Sequence, residues 1–175
     1  MGVVQMLAIQ CSKKLRKQLK IDIPKKIPSS LDSFYSWHSH LFILNRKKCT
    51  IVMNNLTRYN FILVGLKKED FKVYDQMVVD AIRDNLLAEG ATKKEVDKYI
   101  KNCGSPIYLQ ASDRSIISQM NEMIRVIGYW NSIDKQDGVE TDLKEINRRL
   151  NSFMMLKLPK SYSGETMLDE LKILV

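Results

Sequence analysis

Histidine is nearly missing from this chain of 175 residues: His38 and His40 are the only two. Cysteine is scarce as well. Cys11, Cys49 and Cys103 are odd in number, far apart and without a C-x-x-C pair. That pattern excludes a disulfide framework or a cysteine zinc site, and reads as buried free thiols in a reducing compartment. No apolar run approaches the ~18 residues that cross a bilayer, so no membrane association is expected. The apolar stretch Val3–Ile9 has its positive charge after it, the reverse of a secretory signal, and reads as a buried strand. Gly2 does not read as a myristoylation site, because Met6 stands where that motif wants Ser or Thr. The expected location is the cytoplasm. A Gly-rich phosphate loop, H-E-x-x-H, G-x-S-x-G and zinc-finger spacings are also missing. No cofactor and no metal are expected.

Acid is the other scarcity, and it is local. Residues 1–68 hold thirteen Lys/Arg against two acids, Asp22 and Asp32, a net +11. Residues 69–175 hold fifteen Lys/Arg against eighteen Asp/Glu, a net −3, and the whole chain is +8. Such asymmetry suits a protein with one end facing an anion: a nucleic acid, a phosphorylated ligand or an acidic partner. With 45% hydrophobic and 27% charged residues the chain is otherwise ordinary globular material, of one-domain length.

Val3–Gln10 reads as a strand, and Ser12 caps a short helix to about Leu19, with Leu15 and Leu19 on its buried side. Residues 21–33 carry two prolines and three serines and read as a loop. Ser39–Leu44 and Cys49–Asn54 flank the polar break Asn45-Arg46-Lys47-Lys48, and Thr57–Val64 follows, so the three runs predict an antiparallel meander. From Lys67 the period becomes helical through Phe71, Tyr74, Val78, Ala81 and Ile82, and stops at Gly90. Thr92 with Glu95 has the form of a capping box. Ile107–Gln110 reads as a short strand. Asp113 or Ser112 caps a helix striped by Ile116, Met120, Met123 and Ile127; Ser132–Gly138 reads as a polar break, and Thr141–Met155 as another helix. Strands followed by helices predict an α+β fold, a small antiparallel sheet from the N-terminal half packed against several C-terminal helices. One domain is expected over 1–158, with 159–175 an amphipathic tail that can serve as an interaction arm.

His38 and His40 are two apart on a strand and face one side, where two imidazoles can act as acid and base on a phosphodiester. Arg46, Lys47 and Lys48 at the hairpin tip can track a phosphate backbone or solubilise a turn. Asn45, Asn55, Thr57 and Arg58, and Arg114, Ser115 and Asn121, are polar groups at element ends. A helix start beside an arginine can seat an anion, although Asp113 there opposes one.

The run Trp37-His38-x-x-Leu41-Phe42-x-x-Asn45-Arg46-x-Lys48-Cys49, then Asn54-Asn55-x-Thr57, Gly65-Leu66-Lys67-Lys68-x-Asp70-Phe71 and Arg114-Ser115-x-x-x-x-Met120-Asn121, resembles an uncharacterised bacterial and mobile-element family catalogued as a domain of unknown function. The resemblance covers about residues 6–130. It implies that Asn45, Arg46, Asn55, Thr57, Arg114 and Asn121 belong to a polar signature, and it carries no mechanism. Its mobile-element character implies a phage-defence or toxin–antitoxin setting. Three functions follow as expectations: a binding module for a polyanion, nucleic acid first; an enzyme acting on a phosphodiester or nucleotide through His38 or His40; and a protein-interaction factor or homo-oligomer using its helices or tail.

Overall fold

The computed structural model describes residues 6–155 and 158–175. Residues 3–5, expected as the start of the first strand, lie outside the described residues. The strands are β1 (Ala8–Cys11), β2 (Ser36–Leu44), β3 (Lys47–Asn54), β4 (Asn60–Val64) and β5 (Ile107–Gln110). The helices are α1 (Lys13–Leu19), α2 (Tyr74–Glu89), α3 (Lys93–Cys103), α4 (Arg114–Gln136), α5 (Leu143–Leu150) and α6 (Ser163–Lys172). The fold is α+β, with strands mainly in the first half and helices mainly in the second.

The sheet has the order β4-β3-β2-β1-β5. β2, β3 and β4 form the expected antiparallel meander, and β1 pairs in parallel with both β2 and β5. The sheet is therefore mixed where a wholly antiparallel one was expected. A meander can be read from adjacent runs and short turns, whereas the β1–β5 pair joins residues about a hundred positions apart and leaves no local signal.

Alternation along the strands sends side chains to two cores. Trp37, Leu41, Ile9, Cys11, Val52 and Phe61 face α1, α2, α3 and α6. Phe42, Cys49, Ile51, Met53 and Ile62 face α4 and α5, which contribute Ile116, Met120, Met123, Ile127, Ile146 and Leu150. Each of the Leu, Ile, Val, Phe and Met side chains among these stabilises the fold by about 1.5–3 kcal/mol when fully buried. Polar groups in the first core are matched: Trp37 Nε1 donates to Tyr99 Oη (3.0 Å), which donates to Phe34 O (2.6 Å), and Ser39 Oγ lies 2.6 Å from Tyr74 Oη.

The helix ends follow the capping signals. Ser12 accepts from Leu15 N, Asp113 from Ser115 N and Ile116 N, and Thr92 and Glu95 close a capping box. Gly90 ends α2 in the left-handed region at φ 114°. Three expectations are corrected. α4 runs on to Gln136 through the expected break at Ser132–Gly138, since its polar residues there lie on an exposed side while Asn131 stays buried against the sheet. The helix expected over Thr141–Met155 is shorter, Leu143–Leu150. Asn55–Thr57 is a turn capped by the Asn54 side chain, so the third meander strand begins at Asn60. Within the tail residues 159–175 lies α6, whose Met167 and Leu171 are fully buried in the first core.

Candidate functional site

β1 leads into α1 on one face of the sheet, and the adjacent β5 leads into α4 on the other. The carboxyl ends of β1 and β5 are thus a topological switch point, the place where open sheets of parallel strands leave a crevice. His38 lies there, fully buried. Its Nε2 accepts from the backbone N–H groups of Ser112 and Asp113, each at 3.3 Å, and its Nδ1 lies 2.8 Å from Asn55 Oδ1. A nitrogen that accepts two N–H bonds carries no proton, so these bonds assign the proton to Nδ1, donating to Asn55. Asn55 Nδ2 donates to Gln10 Oε1 at 2.7 Å, and Gln10 Nε2 reaches Ser112 Oγ at 3.5 Å. The ring ties together β1, β2, the β3–β4 turn and the start of α4. Burial lowers the pKa of His38, against the Asn55 hydrogen bond and the Asp113 charge, while Arg58 lowers it further.

His40 sits two residues on, half-buried, with Nδ1 2.7 Å from Ser12 Oγ. Burial and the charge of Lys14 lower its pKa. Its Nε2 makes no hydrogen bond within the described residues. No three His, Cys, Asp or Glu side chains among the described residues are grouped as metal ligands.

The structure divides the sequence-predicted anion residues. Asn55 belongs to the His38 ring. Thr57 is fully buried, donating to Asn54 Oδ1 at 3.0 Å and lying 3.3 Å from Met167 Sδ. Arg58 donates from Nη1 to Asn55 O, half-buried, and burial lowers its pKa while Asp113 opposes the shift. Asn45 exchanges two amide bonds with Asn131, both 3.0 Å, which clasp the hairpin to the end of α4. Arg114, Ser115 and Asn121 are exposed along α4, well apart from Arg46, Lys47 and Lys48 in the fold.

A second cluster forms at the opposite end of the meander. The hairpin loop is only two residues, Asn45 and Arg46, both left-handed at φ 51° and 63°. Lys47 and Lys48 therefore open β3 instead of sitting in the loop. Lys48 Nζ donates to Gln18 Oε1 of α1 at 3.0 Å, and Lys48 O accepts from Leu66 N at 2.9 Å. Those two bonds bring α1, the hairpin and the loop after β4 to one end of the molecule. α1 presents Lys13, Lys14, Lys17 and Lys20 as exposed cations, while Arg16 turns back to Cys11 O at 2.7 Å. Arg46, Lys47, Lys48, Lys67 and Lys68 are exposed beside them. Every ion pair among the described residues lies between Lys93 and Lys172, so none of these nine cations is paired there.

Sequence reasoning found the hairpin and the α1 charges but missed Gln10, Ser12 and Ser112 as partners of the histidines, which they reach only through the parallel pairing of β1 with β2 and β5. It also missed that Lys67 and Lys68 join the hairpin. Their position after a strand ending at Gly65 was the one available signal.

No curated protein and no solved structure matches the chain at a significant level. One family does, over residues 8–164, which take in every strand, α1 to α5 and the first residues of α6. The chain belongs to the family described as Domain of unknown function (DUF6933).

Proposed function

We propose that this protein is a binding module for a polyanion, nucleic acid foremost, and that the end formed by α1, the β2–β3 hairpin and residues 65–68 is its contact surface. The observation that carries the reading is the group of nine exposed, unpaired cations held together by the Lys48–Gln18 and Lys48–Leu66 bonds. Like charges so close repel one another, and a polyanion relieves that repulsion while releasing its condensed counterions. The test is salt elution from heparin–agarose. Reversing Lys13 and Lys17 to Glu should lower the elution salt well below that of a control with Lys93 and Lys98 reversed. The two variants have the same net charge. Equal elution would show that total charge, and not this face, governs binding, and would refute the reading.

A second reading rests on His40, whose Nδ1 is bonded to Ser12 Oγ while Nε2 stays free among the described residues. A neutral imidazole so placed can accept a proton from a hydroxyl attacking a phosphodiester. Strand cleavage lost in His40→Ala supports it, and intact strands with the native protein exclude it.

A further inference from the structure

The make-up of the basic end also bears on whether its ligand is paired or unpaired, an inference that rests on the proposed binding function. We propose that the ligand is a double-stranded nucleic acid, held through its phosphate backbone. Proteins that hold single strands combine a basic groove with aromatic side chains on which successive bases stack. The exposed apolar side chains near this end are aliphatic: Ile43 is 61% exposed and Val64 39%. Phe42, Phe71 and Tyr74 are buried in the cores beneath it. Among the described residues Tyr129 is the one aromatic side chain that stands mostly free, at 66%. It precedes by two residues the Asn131 that clasps the hairpin, which places it about 200° round α4 from that contact. The face thus offers charge without a stacking platform.

Charge alone favours the duplex. A duplex carries one negative charge per ~1.7 Å of axis, twice the density of either strand, and loses more condensed counterions per neutralised phosphate. The cations are also held in fixed relation. Lys13, Lys17 and Lys20 are spaced along a capped helix, and Arg46 and Lys47 are set by a two-residue loop clasped to α4. A rigid array of charge suits a rigid array of phosphates, whereas a flexible strand loses conformational freedom in matching it.

The test compares a 25-base-pair DNA duplex, an RNA duplex of the same sequence and unstructured dT25 by fluorescence anisotropy between 50 and 200 mM salt. One or both duplexes should bind at least about 10-fold more tightly than dT25 at 100 mM salt. With roughly six phosphates engaged, the log–log salt slope for duplex DNA should be about −5. The double variant Lys47→Ala/Lys67→Ala should lose about two units of that slope while melting at the native temperature. If it melts early, Lys13→Ala/Lys17→Ala serves the same comparison. Equal or tighter binding to dT25 overturns the duplex inference and leaves the binding function standing. Absence of binding to all three at 50 mM salt overturns both.

Discussion

Removing the side chain of Asn151 should destabilise this protein about as much as removing a buried aliphatic side chain of α5 such as Leu150. β4 is an edge strand, and the outward N–H and C=O groups of an edge need partners or cover. Here the partners are side chains of α5 and its C-cap. Asn151 Oδ1 accepts from Asn60 N at 2.8 Å and from Ser163 Oγ at 3.0 Å, and its Nδ2 donates to Asn60 O at 2.7 Å. One turn earlier, Asn147 Oδ1 accepts from Ile62 N at 2.9 Å. Asn151 thus pairs with both backbone groups of Asn60, as a neighbouring strand would. It is 2% exposed, and Asn60 and Ser163 are fully buried.

Asn151→Ala leaves three buried groups without their partner: the Asn60 N–H, the Asn60 carbonyl and the Ser163 hydroxyl. Each such loss costs about 1–3 kcal/mol, and partial entry of water reduces the sum, so the expected destabilisation is about 3–5 kcal/mol. That is a large share of the ~5–15 kcal/mol by which domains are stable. Asn147→Ala removes one bond at a half-buried position and should cost only about 1 kcal/mol. Asn151→Asp keeps the acceptor but sets a carboxylate oxygen against Asn60 O. Its stability should recover as acid protonates the carboxyl and restores a donor. Urea unfolding followed by circular dichroism measures all three, and hydrogen exchange at the Asn60 amide localises the effect. A loss below about 1 kcal/mol for Asn151→Ala, with Asn60 still protected, would refute the edge-pairing argument.

His38 should make the fold acid-sensitive. Its folded pKa lies below the unfolded value of about 6.5, so its contribution is present above that pH and is lost as pH falls toward the folded pKa. His38→Gln should flatten the thermal melting profile between pH 7 and 5, and an unchanged profile would contradict the ring geometry. Glu89 acts in the opposite sense. Its carboxyl, in a groove of about 690 Å³ and against Gly164, is pushed up to about 7 by burial, so folding loses stability as pH rises from about 4.5 through 7. Glu89→Gln should raise the melting temperature relative to the native protein at pH 8 but not at pH 5. Arg46→Gly should raise the urea midpoint and lower the heparin elution salt together; movement of only one separates the turn from the binding surface.

Elements marked by local chemistry were legible: the caps at Ser12, Thr92 and Asp113 and the stop at Gly90 stand where their residues predicted, and the meander forms with its strand ends shifted by a few residues. What was not legible depended on distant pairing. His38 and His40 share a face, as alternation required, but nothing in W-H-S-H says that one is bonded to the start of α4 and the other to Ser12. The polar residues singled out in sequence mixed two populations for the same reason. Asn45, Asn55 and Thr57 make bonds that brace the fold, while Arg46, Lys47 and Lys48 face solvent, and the partners Asn131 and Gln10 that mark the first group lie far along the chain.

Arg46 is where fold and proposed function meet. A two-residue hairpin loop with both positions at positive φ favours Asn followed by Gly, because a side chain there crowds the backbone. Asn45 fits the first position, and its amide is held by Asn131. The second position carries an arginine at φ 63°, at a cost of about 1–2 kcal/mol relative to an unstrained residue. Glycine would remove that strain, although its greater freedom in the unfolded chain offsets about 0.5–1 kcal/mol of the gain. The net stabilisation expected of Arg46→Gly is therefore small, about 0.5–1 kcal/mol. The same substitution removes the outermost cation of the hairpin. On the proposed function, the strain at Arg46 is kept for the sake of binding. A stabilised Arg46→Gly protein that binds heparin as the native one does would leave that strain without a function.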